Sequence, residues 1–157
     1  MRFFLLVSFV LLMGGCSIKE YTQTKSKLLT LKTKKLRFSD LAYLRNSGDA
    51  LEVELFVAGH VFKRLTLNHL ICISDEGCIT KSRFNKEFLS TAYPNDLLGE
   101  VFLGKPIYNG KNLQKTSYGF MQTIDDEAVK ILYKVSQQQI YFKDKKNHIL
   151  IKIKELK

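Results

Sequence analysis

Apolar and polar residues alternate with a period of two through much of the chain. Leu29 and Leu31 alternate with Thr30 and Lys32; Leu51, Val53, Leu55 and Val57 enclose Glu52 and Glu54; Leu65 and Leu67 alternate with Arg64 and Thr66. Successive side chains of a strand point to opposite faces, so each run predicts a strand with one buried and one wet face. Ser47-Gly48-Asp49 and Ala58-Gly59-His60 are turn-sized breaks between these runs and predict consecutive hairpins. The alternation returns at 118–124, 131–135, 140–142 and 149–153, with the breaks Asp125-Asp126-Glu127, Ser136-Gln137-Gln138 and Asp144-Lys145-Lys146-Asn147 between. In the last run Ile149, Ile151 and Ile153 face one way, and Lys152 and Lys154 the other.

Residues 82–104 change period. Phe84, Phe88, Leu89 and Ala92 fall near one helical face, with Ser82 as the cap and Pro94 as the stop. Asn95 or Asp96 then caps a second short helix carrying Leu97, Leu98, Val101 and Phe102, which Gly104-Lys105-Pro106 ends. Asn109-Gly110 opens the return to strands. Strands, two short helices, strands predict an α+β domain that is mostly antiparallel β. The economical arrangement is a curved sheet or half-open barrel with the two helices on its concave face, a shape that makes a natural apolar pocket. The residues expected to face inward are Leu51, Val53, Leu55, Ile131, Tyr133, Ile149 and Ile151, the candidate ligand-binding set. Tyr133 and Phe142 are expected in the core. The pattern does not separate a filled interior from a hollow one, because packed rings and chain-binding walls use the same residue types.

The start of the chain follows another logic. Met1-Arg2 precedes an apolar run over residues 3–13 broken only by Ser8, then Gly14-Gly15-Cys16-Ser17. A spanning helix needs about 20 apolar residues, so the run reads as a signal peptide, not an anchor. Its end, Leu12-Met13-Gly14-Gly15-Cys16, resembles the lipobox of bacterial lipoproteins. That resemblance implies that residues 1–15 are removed, that Cys16 is acylated, and that the chain is held to a membrane by its N-terminal lipid. Residues 16–26 then form a lipid-bearing polar tether, and 27–157 a single domain. Ser17 in place of Asp after the Cys implies the outer membrane, at its periplasmic face.

Composition bears on partners. The chain has 157 residues with 25 Lys plus Arg against 15 Asp plus Glu, a formal charge of +10. A basic excess commonly points to phosphate, but an exported lipoprotein meets lipid headgroups and envelope polymers, which sets nucleic acid aside. A merely solvated lysine surface and a dedicated anionic site both remain open.

Once Cys16 is assigned to lipid, Cys72 and Cys78 form an even pair in an oxidising compartment. The Gly-containing turn between them favours a disulfide across a hairpin tip; a redox or metal pair is the alternative, although the spacing fits neither. There is no phosphate-cradling glycine loop, nucleophile elbow or zinc-helix motif. His60, His69 and His148 are scattered, Asp125-Asp126-Glu127 reads as a solvated turn before a cation site, and Glu52 and Glu54 as an outward wet face before a carboxylate pair. The expectation is a protein that is not an enzyme, with no metal and no cofactor.

A lipidated Cys16, strand-rich halves around central helices and a closing strand at 149–153 together resemble the outer-membrane lipoprotein receptor family, LolB. That resemblance implies a half-open barrel capped by helices that holds acyl chains, with lipidated proteins or lipid acyl chains as partners. The alternative is a structural or surface-interaction lipoprotein with a packed core and no small ligand.

Overall fold

The structure, a computed structural model, describes residues 23–156. Residues 1–15 and Cys16, on which the signal and lipidation expectations fall, lie outside the described residues.

Eleven strands form one sheet: β1 (Gln23–Lys32), β2 (Arg37–Asn46), β3 (Leu51–Val57), β4 (His60–Leu67), β5 (Leu70–Ile73), β6 (Gly77–Thr80), β7 (Leu113–Thr116), β8 (Gly119–Asp125), β9 (Lys130–Ser136), β10 (Gln139–Asp144) and β11 (Ile149–Glu155). Two helices, α1 (Lys81–Phe88) and α2 (Leu97–Leu103), lie between β6 and β7. The strand order is β6-β5-β4-β3-β2-β1-β11-β10-β9-β8-β7, and every pairing is antiparallel. Two meanders are therefore joined where β11 returns to β1, with Leu29 opposite Ile153 and Leu31 opposite Ile151. The sheet is not closed: β6 and β7 are its edges, and the helical segment runs between them.

The local chemistry explains these elements. Ala58 and Gly59 both take positive φ (52° and 82°), the geometry of a two-residue turn whose twist matches a β3–β4 hairpin. His60, expected in that turn, is the first residue of β4. In α1 the cap is Thr80 rather than Ser82: its hydroxyl accepts from the Arg83 N–H at 3.2 Å. The helix also stops at Phe88, so Leu89 and Ala92 belong to an irregular stretch and not to a helical face. α2 begins after Asp96, whose carboxylate binds Lys81 at 2.5 Å instead of capping the helix. It ends at Gly104, in the left-handed region at φ 65°.

β2 has no counterpart in the sequence reading. Ala42 and Leu44 are buried, but Leu41 and Tyr43 between them are half-buried on the other face, so the strand does not alternate cleanly. β1 starts at Gln23, which makes strand of residues 23–26, read above as the end of the tether.

One buried cluster holds the fold together. It joins inward residues of both meanders with Phe84 of α1 and Leu97, Leu98, Val101 and Phe102 of α2. Among the described residues this cluster runs from Leu29 of β1 to Ile153 of β11 and spans both meanders. Cys72 and Cys78 are register partners of β5 and β6 and are joined by a disulfide.

Candidate functional site

An apolar pocket of about 450 Å³ lies between the β1–β2 turn, β4, β5 and the two helices. Leu31 and Leu65 form its strand wall, Phe84 and Phe88 its α1 wall, and Leu98 and Phe102 its α2 wall. Small-molecule pockets occupy about 300–1,000 Å³ and are mostly apolar with few polar groups; this one meets both conditions.

Each wall is positioned by ordinary packing. Phe84 and Phe88, one helical turn apart on α1, stack with centroids 4.7 Å apart. The β1–β2 turn is fixed by Thr33, whose N–H donates to the Leu36 carbonyl at 2.8 Å and whose hydroxyl accepts from the Leu36 N–H at 3.0 Å. The turn carries Lys35 to the rim, 5.2 Å from the Phe88 ring centroid and 3.9 Å from Glu87. The hydrogen bond from Arg83, with the charges of Arg83, Lys35 and Lys86, holds the Glu87 carboxyl below the usual range. On the other side Lys63 pairs with Glu76, at the tip of the disulfide hairpin. Phe62 also lines the pocket while remaining 52% exposed, and Val57 and Val61 beside it are similarly open. Apolar surface thus runs from the β3–β4 hairpin tip into the pocket between two ion pairs.

The seven residues of the sequence-derived ligand set lie on β3, β9 and β11, each no more than 5% exposed. They belong to the packed cluster, and the lining of the apolar pocket includes none of them. Leu51 lines two more open clefts near the Asn46–Ala50 turn. Tyr133 makes edge contacts with Phe120 and Phe142, and its hydroxyl donates to the Lys105 carbonyl at 3.0 Å. Leu31, Leu65, Phe84, Phe88, Leu98 and Phe102 are visible in the sequence only as members of alternating or helical runs, and Leu36, Phe62 and Ile73 belong to none of those runs. Which strands the helices would cover depends on chain path, and no local signal encodes it.

The polar candidates resolve differently. Glu52 and Glu54 face outward as expected, but they are not a wet face: Glu54 is 4% exposed, beneath Arg45 and Arg64. Arg45 donates to Glu52 at 2.8 Å and to Glu54 at 2.5 Å, and Arg64 Nε to Glu54 at 2.9 Å. Burial pushes the Glu54 carboxyl up, but the hydrogen bonds from Arg64 and Arg45 outweigh it and hold the group below the usual range. This is a cross-strand ion ladder over β2, β3 and β4. In the acidic turn, Asp126 accepts from the Ala128 and Val129 N–H groups at 2.9 Å each, and Asp125 pairs with Lys130. His60 at the start of β4, and His69 and His148 on separate turns, are all exposed. Among the described residues no three His, Cys, Asp or Glu are placed to hold a metal ion, and no helix is long and apolar enough to cross a membrane.

No protein-family model, curated protein or solved structure matches the chain.

Proposed function

We propose that the protein is a lipid-anchored, non-enzymatic binding module that holds acyl chains and assists lipoprotein or lipid localisation at the outer membrane. The observation that carries this reading is the apolar pocket between β4, β5 and the helices, open to the surface through Phe62. In this reading the two helices lie across the concave face of an open, curved sheet, so the pocket is the unfilled part of the space they cover. The Leu12 to Cys16 lipobox supplies the anchor, and acyl chains give lasting membrane attachment at about 0.8 kcal/mol per buried methylene. Ser17 directs the mature chain to the outer membrane.

A fluorescent fatty-acid probe titrated into residues 17–157 tests the pocket. Saturable uptake is expected, together with its loss in Leu65→Phe, which narrows the pocket. Absence of saturable uptake of the probe or of a lipidated peptide by the parent overturns the reading. Anchoring is tested separately: Cys16→Ala is expected to leave an uncleaved precursor that takes up no labelled fatty acid.

A second reading, a structural or surface-interaction lipoprotein with a packed core, draws on the filled half of the interior around Tyr133, Phe142 and Ile151. Under it Leu65→Phe relieves a void and stabilises the fold, with no ligand to lose.

A further inference from the structure

The outer face of the sheet across β2, β1, β11, β10 and β9 is a field of unpaired cations. Leu29, Leu31, Ile151 and Ile153 are buried, so the intervening Lys32, Lys152 and Lys154 project from the opposite face. The register continues the field on both sides. Arg37 stands opposite Lys32, and Lys143 opposite Leu150. Lys152, Tyr141 and Lys134 form one row across three strands. Neighbouring strands are about 4.8 Å apart, which places these six charges in an area about 19 Å wide. Five of them are exposed, Lys152 is half-buried, and none joins an ion pair among the described residues.

Among the described residues unpaired carboxylates are kept off this face, and the outward Glu52 and Glu54 of the neighbouring β3 are held by Arg45 and Arg64. Asp40 and Glu155 stand in register with the buried Leu29 and Lys27, on the other side of the sheet. Asp144 is fully buried, and Asp125, at one corner of the outer face, is paired with Lys130. Apolar groups are interleaved instead: Leu28 is 45% exposed, and Leu132, Tyr141 and Leu150 are half-buried among the lysines. Lysine stems that reach over apolar neighbours, with a tyrosine ring among them, suit the headgroup layer of a bilayer.

We propose that this face docks on an anionic phospholipid surface, laying the outer side of β1 and β9–β11 against the headgroup phosphates. Charge complementarity selects the occupant, since six cations with no carboxylate among them match a sheet of phosphates. Proximity follows from the tether: β1, the central strand, opens at Gln23, within about 25 Å of Cys16 even with the intervening chain fully extended. The proposal uses the membrane anchoring proposed above only for proximity and does not depend on the acyl pocket.

Flotation of residues 17–157, without the lipid, with phosphatidylcholine vesicles and with vesicles also containing phosphatidylglycerol tests the surface apart from both anchor and pocket. Binding to the anionic vesicles alone is expected, lost near 1 M salt, where the Debye length falls to about 3 Å. Each cation near an anionic bilayer strengthens binding by about fivefold, so the variant K134Q/K143Q/K152Q/K154Q should bind at least tenfold more weakly. A variant removing the same charge elsewhere, K25Q/K86Q/K105Q/K111Q, should retain most of the binding. Circular dichroism checks that both variants are folded. Failure of the parent to bind anionic vesicles, equal binding to both vesicle types, or an equal loss in the two variants would overturn the proposal.

Discussion

The Tyr93 hydroxyl donates a 2.7 Å hydrogen bond to the buried carboxylate of Asp144, joining the stretch between the helices to the end of β10. Asp144 also accepts from the N–H groups of Lys130 at 3.1 Å and Lys146 at 2.9 Å, and from the Asn147 amide at 2.7 Å. Burial raises the Asp144 pKa, but these bonds outweigh it and the carboxyl sits below its ordinary value. Burial, then Asp144 itself, pushes the Tyr93 phenol far up, so it stays a donor. A second tie acts further along: Gln122 accepts from the Ile107 N–H and donates to the Ile107 carbonyl, both at 2.9 Å. The end of the helical segment is thus fastened to the C-terminal meander by buried polar bonds.

Removing the first tie should be expensive. A buried hydrogen bond to a charged group contributes about 1.5–3 kcal/mol, and Tyr93→Phe is expected to lower stability by that order in urea unfolding. Because the folded pKa of Asp144 is depressed, its contribution is present above the unfolded value of about 3.9 and is lost as pH falls through the lower folded value. The melting temperature should therefore drop steeply below about pH 4. Asp144→Asn should start lower and show a shallower acid limb; an unchanged limb would refute the assignment.

Gly119 and Gly99 should respond to alanine with opposite signs. A Cβ on Gly119 would meet the Val135 carbonyl oxygen at 2.0 Å, a backbone atom that moves only if the β8–β9 pairing moves. Gly119→Ala should cost about 2–3 kcal/mol through overpacking. Gly99, inside α2, has nothing within 4 Å of the added methyl, and alanine there should stabilise by about 0.5–1 kcal/mol. Denaturant midpoints of the two variants, shifted in opposite directions, are the check.

The Cys72–Cys78 bond closes a short loop, with a sequence separation of 6. Chain-entropy reasoning assigns such a loop about 2 kcal/mol. The double variant C72S/C78S should lose stability of that order and remain folded, since the hairpin keeps its β4 pairing. Alkylation of both thiols in protein purified without reductant would show that the bond is absent.

What could be read from the sequence follows what is local. The strands around Leu51, Ile131 and Ile149 announced themselves because one face is wholly apolar and all the charges fall on the other, and Gly104 marked a helix end because only a left-handed residue fits there. β2 escaped because Asp40 interrupts its inner face between Phe38 and Ala42 while Leu41 and Tyr43 put apolar groups on its outer face. The cap moved from Ser82 to Thr80 because both hydroxyls offer the same chemistry two residues apart. The candidate site was the least legible part. Inward orientation is a property of one strand, whereas the gap between Phe84, Leu65 and Leu31 is bounded by one helix and two strands that lie far apart in the sequence.

Phe102 stands between two spaces. Its ring lines the apolar pocket of about 450 Å³ and also a cleft of about 220 Å³ at the opposite end of β1, near Leu44 and Ile153. At 4% exposure it is held in the core and acts as the partition between them. If acyl chains occupy the pocket, this ring limits how far a chain can run, and a smaller side chain should join the two spaces. Phe102→Ala opens the path most but forfeits about 3–5 kcal/mol of packing, so Phe102→Leu, a milder truncation, is the companion variant. Competition of fatty acids of increasing length against a fluorescent probe should show the preferred length shift upward in Phe102→Leu, and further in Phe102→Ala where that variant folds. An unchanged length profile in a folded Phe102→Leu that still binds the probe would mean that chains do not approach α2, and that the pocket's inner limit lies elsewhere.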